Sequence, residues 1–139
     1  MSPTRKKEGF SVEEKAAMRA RAKELKAAAE GEEAVLAALA EMSPEDRAIG
    51  ERIHAIVRKS APELTPRTWY GMPAYANGDG KVVLFFRNAE KFKERYAMLG
   101  FNDSANLDDG SMWPVAYAVA KLTKAGEAKV RALVKQAVS

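Results

Sequence analysis

Apolar residues change their spacing along this chain, and each change marks a new kind of element. From Ser11 to about Ala29 only Met18, Ala22, Leu25 and Ala29 recur at helical spacing, in a run otherwise rich in Ala, Lys, Arg and Glu. So thin a stripe predicts a helix that gains little by packing. Such a helix would lie loosely on the domain, join a partner chain, or fray. Ser11-Val12-Glu13-Glu14 reads as its capping box and Gly31 as its end. A second helix is expected from Glu32 to about Met42, with Val35, Leu36, Leu39 and Met42 as its apolar face. Ser43-Pro44-Glu45-Asp46 then signals a new start, because serine caps and proline loses nothing at the first helical position. The third helix, to about Lys59, sets Ile49, Ile53, Ile56 and Val57 at i, i+4, i+7 and i+8, a buried stripe. His54 falls out of phase with it, beside Arg47 and Arg58, on what reads as the solvated side.

After Pro66 the pattern turns β-prone. Arg67–Tyr70 and Ala74–Ala76 read as strand segments interrupted by Gly71 and Pro73. Because Pro73 cannot donate to a ladder, this stretch is expected at an edge or as a bulged strand. Asn77-Gly78-Asp79-Gly80 reads as a hairpin turn. Lys81–Arg87 is the strongest strand, and its unbroken apolar run predicts a central position covered on both faces. Asn88–Phe92 is expected as a linker or helical turn. Arg95–Leu99 reads as a strand ended by Gly100, and Ser104–Leu107 as one helical turn. Val115, Tyr117 and Val119 alternate with alanines in a last strand. Thr123 caps a final helix with Val130, Leu133, Val134 and Ala137 buried. The expected class is α+β, an antiparallel sheet of about four to five strands packed against helices.

Charge refines this picture. The chain has 139 residues, 23 Lys and Arg against 19 Asp and Glu, and a net charge of +4. Residues 1–30 carry eight basic and five acidic residues, so +3 of the excess sits on the N-terminal arm and +1 on the rest. A nucleic-acid binder concentrates basic charge over a face of its fold, so nucleic acid is not the expected partner. The basic N-terminus has no apolar stretch behind it, which argues against a signal peptide. No run is long and apolar enough for a membrane span, and a cytoplasmic location is expected. There is no cysteine, which removes thiol catalysis, cysteine-ligated zinc and disulfides from consideration.

Catalytic signals are sparse. His54 is the single histidine, no Gly-x-Ser-x-Gly elbow is present, and neither phosphate-gripping glycine pattern occurs. The expectation is a protein that is not an enzyme and uses no cofactor. Asp103, Asp108 and Asp109 lie close in sequence and offer oxygen ligands for a hard cation, although Asp-Asp-Gly also suits an ordinary turn. What stands out is aromatic. Ten of the eleven aromatic residues lie between Trp69 and Tyr117, and both tryptophans flank backbone that breaks regular structure. Phe85 and Phe86 read as core. Trp69, Tyr75, Tyr96 and Trp113 read as lining a concave site for a small ligand or protein, with Lys93 or Arg95 as anion partners.

Gly71-Met72-Pro73-Ala74-Tyr75, followed by a turn, the Lys81–Phe86 strand and Lys93-Glu94-Arg95-Tyr96-Ala97-Met98-Leu99, resembles the YdhG-like family of bacterial proteins. The resemblance covers about Glu32 to Ser139, so the chain divides into a basic helical arm, residues 1–31, and a YdhG-like domain, residues 32–139. It implies the same α+β fold, a groove near Tyr70, Met72, Pro73, Tyr75 and Lys93, and a homodimer. Some members resemble frataxin in role as intracellular iron chaperones, which implies iron as an alternative ligand. Two departures matter: Arg95 stands where the family often has histidine, and Asp109–Pro114 replaces its usual lysine-glycine-threonine strand start. The first weakens metal binding at that spot, and the interleaved charges of the helices do not form an acidic iron surface.

Overall fold

Helix α1 (Val12–Ala40) begins as its sequence dictates. Ser11 Oγ accepts from the Glu14 amide at 3.1 Å, and Glu14 Oε1 accepts from the Ser11 amide at 2.8 Å. The computed structural model describes residues 10–139. Gly31 does not end the helix, and the two expected helices are one, 29 residues long. The glycine is needed for contact instead: a methyl group at Gly31 would overlap the carbonyl oxygen of Pro66 on the first strand. One helix therefore spans the expected boundary at residue 31. Its N-terminal half is exposed all round, while Val35 and Leu39 enter the core.

Helix α2 (Pro44–Ser60) starts at Ser43, whose hydroxyl accepts from the Asp46 amide at 3.3 Å, and it buries Ile49, Ile53, Ile56 and Val57. Five strands follow: β1 (Thr65–Trp69), β2 (Met72–Ala76), β3 (Val82–Arg87), β4 (Ala97–Phe101) and β5 (Ala116–Val119). They pair antiparallel in sequence order. The apolar run of β3 is central, as expected. β2 is not an edge strand, since it lies between β1 and β3. Pro73 is tolerated because it pairs with Thr68 on β1, and the β3 register begins only at Ala74. The expected irregularity lies just beyond, between Tyr75 and Ala76. Gly100 lies within β4 rather than ending it, and residues 104–107 form no helical turn. Helix α3 (Lys124–Ala137) is capped by Thr123 Oγ1 on the Gly126 amide at 3.1 Å and buries Val130, Val134 and Ala137.

Side chains of paired residues share a face of the sheet. One face presents Tyr75 beside Leu84 and Phe101, and Phe86 beside Leu99 and Tyr117. The helices pack on this inner face. Phe86 lies against Gly50 of α2 and Leu39 of α1, where a methyl on Gly50 would not fit. Tyr117 and Leu99 meet Val130 and Leu133 of α3. The fold is α+β: among the described residues, three helices and one five-stranded antiparallel sheet. No helix among them is long and apolar enough to cross a membrane.

Candidate functional site

The outer face of the sheet follows from the same register. One row across all five strands runs Arg67, Ala74, Phe85, Gly100, Ala116. Trp69, Met72, Arg87, Met98 and Ala118 form the next row on one side of it. Small residues form the floor, and two large rings stand on it. Phe85 lies over Gly100, where a methyl group would overlap the ring. The Trp69 ring sits 5.2 Å from Phe85 and 5.0 Å from Tyr70, tilted to one and edge-on to the other. Both are ordinary aromatic packing geometries. The result is a ridge of three rings that ends at Tyr70, which is 79% exposed. Ala116 and Ala118 are exposed beyond its other end.

The charged residues of the strands themselves have one sign, and one of the two is met by a carboxylate from a loop. The five strands carry Arg67 and Arg87 and no carboxylate. Arg67 is exposed. Arg87 stacks over the Phe92 ring at 4.5 Å and pairs with Glu94 on the β3–β4 connection at 2.6 Å. Lys91 reaches back to the β1–β2 turn and occupies the space beside Gly71.

That turn sets the ridge. Trp69 pairs with Met72, so the hairpin loop is the two residues Tyr70 and Gly71. Their φ values are 50° and 76°, and positive φ at both central residues is what a type I′ hairpin requires. Glycine takes this readily. A tyrosine there costs on the order of 1 kcal/mol relative to ordinary backbone. Gly71, expected to interrupt a strand, in fact closes a tight hairpin.

The structure gathers only some of the expected site residues. Trp69, Tyr70 and Met72 come together at this hairpin, with Met72 buried beneath. Tyr75 is turned to the inner face and is fully buried. Phe85, expected in the core, takes the place on the ridge. Trp113 is half-buried against the hydrophobic core and does not join the ridge. Arg95 stacks on Tyr96 at 5.0 Å, and both line a groove against the start of α2. Lys93 is exposed on the β3–β4 connection with φ 55°. Asp103, Asp108 and Asp109 are each exposed, and among the described residues no three His, Asp or Glu side chains gather as a metal site.

A second polar feature is buried, and the sequence reading missed it. His54 is not on a solvated side. Its Nδ1 lies 2.8 Å from the Tyr75 hydroxyl and its Nε2 3.0 Å from Glu32 Oε1. Arg58, one turn on, places its Nε 3.5 Å from Glu32 Oε2 and donates from Nη1 to the Leu64 carbonyl at 3.1 Å. Burial, reinforced by the Glu32 carboxylate, pushes the Tyr75 hydroxyl far above the usual phenol range, with Arg58 opposing. Tyr75 is thus a proton donor at working pH. In the tautomer with its proton on Nε2, His54 accepts from Tyr75 and donates to Glu32. His54 is 7% and Tyr75 0% exposed, which leaves no approach for a substrate. The cluster ties α1, α2 and β2 together. Among known proteins, this chain matches no family model, no curated protein and no solved structure.

Proposed function

We propose that the protein is a binding module, not an enzyme, and that its ligand lies on the outer face of the sheet across Trp69, Tyr70 and Phe85. The observation that carries this reading is the ridge itself: three contiguous rings on a face whose charged strand residues are both arginine. Rings offer flat apolar contact, and exposed Arg67 offers charge and bidentate hydrogen bonds to an anion, while Arg87 is held by Glu94. The complementary ligand is an aromatic or flat apolar group that also carries negative charge, on a small molecule or on a partner protein. Tyr70 supports the reading. Asparagine or glycine would relieve its backbone strain, yet a large ring is held there in solvent, and strain of this kind is typical of binding sites.

Iron carriage, the alternative from family resemblance, has weaker support. It needs several oxygen ligands converging on one point, and among the described residues Asp103, Asp108 and Asp109 are not joined by other ligands.

The test uses an aromatic anion, anilinonaphthalene sulfonate, titrated into the full chain. Trp69→Ala should weaken binding about tenfold or more, since each stacked ring contributes about 1–3 kcal/mol. Arg67→Glu should weaken it further as the salt concentration falls, because repulsion is then less screened. Unfolding curves should shift little for Arg67→Glu. Binding unchanged in Trp69→Ala would exclude this face.

A further inference from the structure

Helix α1 carries an apolar stripe that no other described residue covers. Met18, Ala22, Leu25, Ala29 and Leu36 recur at i, i+4, i+7, i+11 and i+18, within an arc of about 60° on the helix surface. Met18 is 50%, Leu25 55% and Leu36 48% exposed. The stripe adjoins the side that sends Val35 and Leu39 into the core, turned from it by roughly 60–100° about the helix axis. Residues 11–27 are exposed throughout, so this half of the helix stands clear of its own domain. A helical segment of that length is marginal in water without something to pack against.

We infer that the stripe docks on the α1 of a second copy of this chain, antiparallel, about a two-fold axis beside Lys23 and Glu24. Two features of the helix select this occupant. The first is steric. With that centre Met18 faces Ala29 of the other copy and Ala22 faces Leu25, so a large side chain meets a small one in every layer. The second is electrostatic. Exposed Lys15 and Arg19 lie on the N-terminal half of one flank, and exposed Glu33 and Glu30 on the C-terminal half of the same flank. A two-fold axis brings like flanks together in opposite directions. Lys15 then falls within one residue of Glu33 of the other copy, while Glu30 is held by Lys26 of its own chain at 3.9 Å. On the other flank, Glu14 and Glu32 are occupied within their own chain, by the Ser11 amide and by His54 and Arg58. This inference is independent of the sheet-face reading.

The chain has no native cysteine, which makes crosslinking selective. Full-length Met18→Cys and Ala29→Cys chains would be mixed and treated with a short bismaleimide. Mixed dimers should dominate, and either variant alone should crosslink poorly. Sedimentation at tens of micromolar should give twice the chain mass for the native protein and the chain mass for Leu25→Glu. Thermal unfolding of the core should be unchanged for that variant, since Leu25 is exposed, and any helicity lost by circular dichroism should be confined to the projecting half of the helix. A native monomer, a Leu25→Glu dimer, or efficient crosslinking of Met18→Cys with itself would each overturn the antiparallel pair.

Discussion

Replacing His54 with alanine is expected to cost about 3–4 kcal/mol of folding stability, although the residue binds no ligand. The loss has two parts. The Tyr75 hydroxyl loses its partner while fully buried, whereas Glu32 is partly exposed and keeps Arg58, and an unmet buried polar group costs about 1–3 kcal/mol. Removing the ring also leaves a cavity between α1, α2 and β2. Tyr75→Phe removes only one hydroxyl and should cost about 1–2 kcal/mol. The two changes should not add, because both act on one network. Urea unfolding of the two single variants and the double variant gives all of these values. A His54→Ala loss below about 1 kcal/mol would mean that the cluster does not hold the helices. The same network predicts a pH dependence. An unfolded phenol ionises near pH 10.0, whereas the buried Tyr75 hydroxyl keeps its proton above that. Above pH 10 the native state therefore binds more protons than the unfolded state, and stability falls as pH rises. Below pH 10 this contribution is fully present and flat. Tyr75→Phe should show a shallower decline than the native protein across that alkaline window.

Gly31→Ala is expected to destabilise by about 1–3 kcal/mol, against the intrinsic preference of the helix. In an exposed helix interior, alanine is favoured over glycine by about 1 kcal/mol. Here the added methyl group overlaps the Pro66 carbonyl oxygen, a backbone atom that cannot rotate aside. The helix must lift from β1, and overpacking of this kind costs about 1–3 kcal/mol. The loss should be larger than that from an alanine at exposed Gly78, where nothing lies close. Thermal unfolding of the two variants side by side separates the effects. A more stable Gly31→Ala protein would mean that α1 does not lie against β1.

Local signals in this chain were legible wherever one element decided the outcome. Ser11, Ser43 and Thr123 cap the helices they precede. The apolar run of β3 is central, and the Ile49–Val57 stripe is buried. What failed depended on a second element. Gly31 resembles a helix end, and only the nearby strand explains a glycine in mid-helix. Gly100 resembles a strand end, and only Phe85 above it explains its place within β4. His54 reads as solvated when α2 is considered alone, because its polar side is where α1 packs. Parity offered one usable signal. Met72 and Tyr75 are an odd number apart on one strand, so they point to opposite faces. An aromatic cleft that includes both Trp69 and Tyr75 was therefore excluded by strand alternation once Trp69 and Met72 were known to pair. The hairpin that makes that pair, Tyr70-Gly71, carries a tyrosine where turn chemistry favours asparagine, and for that reason it was not recognisable as a two-residue turn.

The outer sheet face as ligand surface is tested most directly by mapping. Amide chemical shifts of the full chain would be followed by nuclear magnetic resonance while anilinonaphthalene sulfonate is added. Saturable shifts are expected for Arg67 to Met72, Phe85, Arg87, Met98 and Gly100, with little change along α2 and α3. Saturable shifts confined to the groove beside Tyr96 and the start of α2, or to Leu122 and Leu133 of the C-terminal region, would contradict the account and move the binding site to the helix side of the sheet.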